Sequence, residues 1–421
     1  MPTTRSAMPP RLTPRFRDLD GLQGDDGFRD RSGLRDGAND GWKPTSKPIR
    51  PSNTPNPENS NLCKTCNTLN ITPSRFIVGP WDDDADGSVP NQPKIPFGSV
   101  EDVNKRSVKC PLCRLVLKAL GPGLQSLEDG EPIMISLTWN TDGPVPDPNN
   151  APGKHDPQIR YIRPHVQKKN GGRVNARGLN LSSEITLVAD DAPSSYSSKS
   201  FLVRLLPDKI NLHMIREWMT LCDRWHGRDC DLSEMLDHEV KDPSTEIPHF
   251  RLIDVANDCI VHAPSGCQYV ALSYVWGKID PNTILRTLKN NVEDLERRGG
   301  LKRPKYYDIM PKTIRDAIQA VRELGFRYLW VDSLCIIQDD VGTGGSKMSA
   351  ISKMDLVYGA AYLTITAATG SDSNAGLPGL HRGTRQVVQV VEEVRPGVRL
   401  ALKQKHQDFV GDSAYYTRGW T

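Results

Sequence analysis

Tyr269-Val-Ala-Leu-Ser-Tyr-Val-Trp-Gly277 and Arg327-Tyr-Leu-Trp-Val-Asp-Ser-Leu-Cys-Ile-Ile-Gln-Asp-Asp340 decide how this chain is read. In the first, Tyr269, Ala271, Ser273 and Val275 alternate with Val270, Leu272 and Tyr274, the period of a strand. Trp276-Gly277 ends it, because glycine tolerates backbone angles that other residues resist. Tyr328-Leu-Trp-Val331 predicts a second, buried strand, with Asp332-Ser333 just past its end. Between them, Ile314, Ala317, Ile318, Val321 and Leu324 recur at helical spacing from Pro311, and Gly325 stops the helix. Strand, helix, strand predicts a right-handed parallel unit. Ligands of open α/β sheets bind beyond the carboxyl ends of the strands. Tyr274, Trp276, Gly277, Ser333 and Asp339 are therefore the candidate ligand-binding residues. Asp332, an acid interrupting an apolar strand end, is the candidate catalytic residue; its alternative role is to cap the turn that follows. Cys335, between Leu334 and Ile336, reads as buried.

Composition bounds the rest. A chain of 421 residues suggests two to three domains. The formal charge of +3 is too small to imply a nucleic-acid partner. No apolar run approaches the roughly 20 residues of a membrane helix. Met1 to Arg17 lacks the apolar core of a secretory signal, and Pro9, Pro10 and Pro14 break any amphipathic import helix. A cytoplasmic location is expected. Met1 to Asn61 is rich in Pro, Gly, Asp and Arg, and reads as a disordered tail.

Residues 62–250 read as an irregular α+β N-terminal region. Cys63-Lys-Thr-Cys66 and Cys110-Pro-Leu-Cys113 each hold two thiols at zinc-knuckle spacing. Together they close a four-thiolate structural zinc site, unless they are two pairs of buried thiols. Strands are predicted over Ile133 to Trp139, Arg160 to Val166 and Ile185 to Val188. A helix is predicted over Asp208 to Cys222. It leads into Cys222, His226 and Cys230, which share one helical face if the helix continues and offer a second, less favoured ligand set. A mixed set of Cys110, Cys113, Cys222 and His226 stays open.

Residues 251–421 form the C-terminal region. Arg251 to Val255 predicts an edge strand paired with Asp258 to His262, and Asn282 to Arg298 a helix. Ile351 to Ala361 carries an apolar helical stripe, and Tyr362 to Ala367 a third parallel strand. Val387 to Val394 and Val398 to Leu402 predict a hairpin.

The words in this region closely resemble the fungal heterokaryon-incompatibility (HET) domain. They are Tyr269-x-Ala-Leu-Ser-Tyr-x-Trp-Gly277, Pro311-x-Thr-Ile-x-Asp-Ala317 and Tyr328-Leu-Trp-Val-Asp-Ser-Leu-Cys-Ile-x-Gln-Asp339. Met354, Val357-Tyr358, Thr364-Ile365, Gly376-Leu377 and Arg418-Gly-Trp-Thr421 continue them. The resemblance implies regulated cell death in self/non-self recognition, with other incompatibility or signalling proteins, or a second copy, as partners. It also implies a parallel, flavodoxin-like sheet similar to that of TIR domains, some of which cleave NAD. On that reading an acid at the site stabilises the oxocarbenium-like charge as the glycosidic bond breaks. Where the family pattern implies a Trp and a Glu, this chain has Lys347 and Ala350, which puts enzymatic activity in doubt, although Asp355 on the same helix offers a substitute acid. The family usually continues beyond the position of Thr421, so the sequence reads as a fragment or a short member. Two functions follow: a zinc-stapled, non-enzymatic signalling module, or a nucleotide (NAD) hydrolase. The loop Val341 to Gly345 before Lys347 offers a weaker phosphate-binding reading.

Overall fold

The computed structural model describes residues 61–78, 94–126, 131–141, 158–174, 179–180, 183–192, 202–225, 241–342, 345–385, 388–403, 410 and 413–416. All fall in one compact unit, Trp42–Thr421. Residues 1–60 of the tail read over 1–61 lie outside them, as do His226, Cys230 and Arg418–Thr421.

Among the described residues, twelve strands form two sheets. β1 (Ile77–Val78), β2 (Ile95–Ser99), β3 (Ile133–Thr141), β4 (Gln158–Lys168) and β5 (Glu184–Leu187) come first. β6 (Arg251–Asp254), β7 (Cys259–His262), β8 (Val270–Ser273), β9 (Tyr328–Trp330) and β10 (Leu363–Thr366) follow. β11 (Val391–Arg395) and β12 (Val398–Lys403) are last. The first sheet runs β11-β12-β5-β4-β3-β2, with β1 added to β4. All its pairings are antiparallel. The second runs β10-β8-β9-β6-β7.

The expected parallel, flavodoxin-like and TIR-like sheet is therefore not what the chain builds. Only β10, β8 and β9 are parallel. β6 joins β9 antiparallel and β7 joins β6 antiparallel, which makes the second sheet mixed. The reason is local. Asp254 ends β6 by accepting from the N–H groups of Ala256 and Asn257, and Asp258 takes a positive φ of 50°. This tight turn reverses the chain, leaving no room for a crossover helix. β6 is not an edge, since it lies between β9 and β7. The expected irregular N-terminal region is a regular antiparallel sheet.

The crossover from β8 to β9 carries the helix Lys312–Glu323, whose apolar stripe buries Ile314, Ala317 and Val321 completely. The helix expected over Asn282 to Arg298 shrinks to Val292–Glu296. Asn291 is the cause. Its side chain accepts from the Leu288 N–H and donates to the Arg286 carbonyl, closing a turn in place of a helix. The expected single helical stripe from Ile351 splits into Ser346–Ile351 and Met354–Gly359.

Two cores result. One lies under the first sheet and includes Phe76, Phe97, Leu115, Leu137 and Ile162. It also takes Val394, Val398, Leu400 and Leu402 from the last hairpin. The other surrounds the second sheet and includes Tyr269, Leu272, Ile314, Leu329 and Trp330. No helix among the described residues is long and apolar enough to cross a membrane.

Candidate functional site

β8 and β9 are parallel neighbours, so their carboxyl ends point the same way. The Trp276 indole N–H donates to Asp332 Oδ2 (2.9 Å), and the buried Tyr274 hydroxyl donates to Ser333 Oγ (2.9 Å). The Tyr274 and Trp276 rings stack with centroids 6.5 Å apart. Asp332 Oδ1 accepts from the Ser333 N–H (2.6 Å), within the short helix Asp332–Cys335. Burial, with the Asp332 charge beside it, pushes the Tyr274 hydroxyl well above its ordinary pKa. Tyr274, Trp276, Asp332 and Ser333 thus form one hydrogen-bonded tie across two strands.

Gly277 sits at the rim of this tie with a φ of 76°, and a Cβ there would lie 2.3 Å from Asp372 Cβ. The Trp276 carbonyl accepts from the Ser373 N–H (3.2 Å). Glycine is required both by the backbone angle and by the close approach of the 371–376 loop. Asp339 is exposed and engaged elsewhere, accepting from the Lys289 N–H (2.9 Å). Cys335 is 3% exposed, and burial pushes its thiol up to about 12, which leaves it no thiolate at neutral pH.

Ala350 is buried in the second core. Asp355 is exposed on the helix Met354–Gly359. The phosphate-binding reading of the loop before Lys347 meets a competitor. Asp340 Oδ2 already accepts from the Ser346 N–H (2.8 Å), so a carboxylate occupies that helix start.

Two buried carboxylates were not foreseen as structural hooks. Asp316 is 4% exposed and accepts from the Leu377 N–H (2.8 Å), while its other oxygen meets His381 Nε2 (3.0 Å). Thr313 Oγ1 accepts from the Gly376 N–H (3.0 Å). The words Thr313-Ile-x-Asp316 and Gly376-Leu377 are therefore one hydrogen-bonded unit. Asp254, 1% exposed, pairs with Arg327 (2.8 Å) and joins β6 to β9. The signal for both was an acid on an otherwise apolar face.

The four cysteines come together. Cys63 begins the helix Lys64–Asn67, and Cys110 the helix Pro111–Leu120. Sγ–Sγ distances are 3.8 Å for Cys63–Cys113, 3.6 Å for Cys66–Cys113 and 3.5 Å for Cys66–Cys110. All four sulfurs lie within 4.8 Å of one another, and none is in a disulfide. The Cys63 N–H points at Cys110 Sγ (3.4 Å). Its neighbour Cys113 draws the Cys110 thiol down to about 6, and Cys63 is also held low by Cys110. Cys66 and Cys113 are pushed up by the Cys110 sulfur. Two thiols ionise readily and two resist, because four thiolates crowd together only around a cation. The cluster can bind a metal. Cys222, partly buried in the helix Leu212–Trp225, is not part of it.

No curated protein and no solved structure matches the chain. Residues 269–421 match the family model described as heterokaryon incompatibility protein (HET), which covers the Tyr274–Asp332 tie, the Asp316 hook and the last hairpin. Residues 269–421 thus carry a HET domain, which supports a role related to heterokaryon incompatibility at the level of the family.

Proposed function

We propose that this protein is a non-enzymatic signalling module that promotes cell death in self/non-self recognition in the fungal cytoplasm. Its HET region engages other incompatibility or signalling proteins, or a second copy of itself. The observation that carries this reading is the state of Asp332. Both of its oxygens are engaged inside the protein, by Trp276 and by the N–H of Ser333. A carboxylate so held serves as a tie, and the position implied for a catalytic Glu is the buried Ala350. Trp276 and Gly277, supported by the buried Tyr274, then shape a surface for a partner instead of a bed for NAD.

Zinc is the metal we assign to the four cysteines. A Zn–S bond of about 2.3 Å gives a tetrahedron with edges of about 3.8 Å, close to the sulfur separations here. Four soft thiolates without a carboxylate suit zinc and leave no open position for a reaction. Bound there, the ion supplies cross-linking only. The chain's part is to aim two helix starts at one point.

The test uses full-length protein, because β12 of the HET region pairs with β5. Asp332→Asn keeps an acceptor for Trp276, so the reading predicts that killing on overexpression in a fungal host survives and that NAD is not consumed. NAD consumption by the unaltered chain, abolished by Asp332→Asn, would establish the hydrolase instead.

A further inference from the structure

We propose that a cavity beside the crossover helix binds a small phosphorylated molecule. The cavity measures about 330 Å³, within the range of small-molecule sites. Leu301, Met310 and Ile318 give it an apolar floor, and Lys302, Lys312 and Arg315 bring positive charge to it.

Charge balance makes the case. Two carboxylates also line the cavity, Asp258 and Asp316. Each is already committed. Asp258 pairs with Arg322 (2.8 Å). Asp316 holds His381 (3.0 Å) and the Leu377 N–H (2.8 Å). Among the described residues, Lys302, Lys312 and Arg315 have no carboxylate within ion-pair distance.

These cations are also held in place. Lys302 Nζ lies 4.7 Å, and Arg315 Cζ 5.4 Å, from the centre of the same Tyr307 ring. Gly376, with a φ of 78°, leaves the room that the third, Lys312, occupies. A Cβ there would come within 3.0 Å of Lys312 Cε and 2.7 Å of Asp316 Oδ2. Lys312 and Arg315 are half-buried, so water screens their mutual repulsion less than on an open face. Gathering like charges this way is unfavourable until an anion joins them. A phosphoryl group fits, because a guanidinium fork and ammonium donors bind its oxygens with charge-assisted hydrogen bonds. The apolar floor suits an organic part attached to the phosphate.

The experiment is calorimetric titration of the full-length protein with three probes: inorganic pyrophosphate, a nucleoside diphosphate and the uncharged nucleoside. The expected result is binding of both phosphorylated probes and none of the nucleoside. Arg315→Gln and Lys312→Gln each weaken binding by about tenfold or more, the worth of a charge-assisted hydrogen bond. Arg315→Lys, which keeps the charge, weakens it less. Lys305→Gln, a variant of a lysine that pairs with Asp294 outside the cavity lining, leaves it unchanged. Tighter binding of the nucleoside diphosphate than of pyrophosphate identifies an organic phosphate as the ligand; equal binding identifies the free anion. Failure of both phosphorylated probes to bind the unaltered protein would overturn the proposal. Binding that Arg315→Gln and Lys312→Gln leave intact would overturn it too.

Discussion

The two sheets hold themselves together by different means. The first is antiparallel, and its termini are far apart in sequence: the cysteine-bearing helix starts lie near one end of the chain and the β11–β12 hairpin near the other. Arg114, on the helix Pro111–Leu120, grips Glu392 of β11 with two hydrogen bonds (2.9 and 2.8 Å). Arg399 of β12 grips Asp191 in the same forked manner. Among the described residues, the second sheet has no cysteine cluster of this kind. It is closed by single carboxylates hydrogen-bonded to their neighbours: the buried Asp254 and Asp316 and the partly buried Asp332. A cross-linked region fails when its staple is removed. A hooked region fails one hook at a time.

The largest effect is expected at the staple. Removal of the metal by a chelator, or Cys113→Ser, should abolish zinc binding and collapse the first core, because folding of small zinc sites draws on about 10–16 kcal/mol of metal binding. Metal analysis and thermal melting of the full chain check this. Unchanged melting in metal-free protein would leave the first sheet resting on its apolar core alone. Next comes Asp316→Ala, which leaves the Leu377 N–H and His381 without their acceptor. A loss of about 2–3 kcal/mol is expected in denaturant unfolding, the scale for hydrogen bonds to a charged group. Arg399→Ala should cost less, about 1–2 kcal/mol, since its side chain is 33% exposed. Its signature is local: faster amide exchange in β11 and β12 with β8 and β9 unaffected.

The smallest effect is a pH dependence. Burial alone would raise the Asp254 pKa, but Arg327 and the Asn257 donors outweigh it and hold the carboxyl below its ordinary value. A pKa depressed by folding adds stability that is full above the unfolded value of about 3.9 and is lost as pH falls through the folded value. Asp254→Asn should therefore lower stability at neutral pH and flatten the acid limb of the stability curve. An acid limb identical in both proteins would assign acid unfolding to other carboxylates.

The contrast also explains what could be read in advance. The β8-helix-β9 unit was legible because its strands are short and apolar and its helix has a clean stripe and a glycine stop. Spacing offered the grouping of cysteines 63, 66, 110 and 113 beside two separate thiol pairs and a mixed set with Cys222 and His226, and the structure brings the four together. Sheet direction was not. A buried strand such as β5, with all four residues inside, carries no alternation to reveal its neighbours. Nothing local says that Leu400 pairs with Leu187, since register between distant segments is set by the whole core. The hooks were not read in advance. Asp316 and Asp254 are acids on otherwise apolar faces, but their partners include segments distant in sequence whose path the sequence does not state. Asn291 misled because helical spacing of leucines outweighed one side chain able to close a turn.

Hydrogen exchange of the full-length protein, with and without a zinc chelator, tests the two-region account most directly. Chelation should strip protection from β2 to β5 and from β11 and β12 together, while β8, β9 and the helix Lys312–Glu323 keep theirs. Loss of protection spread evenly over both sheets, or no loss anywhere, would contradict it.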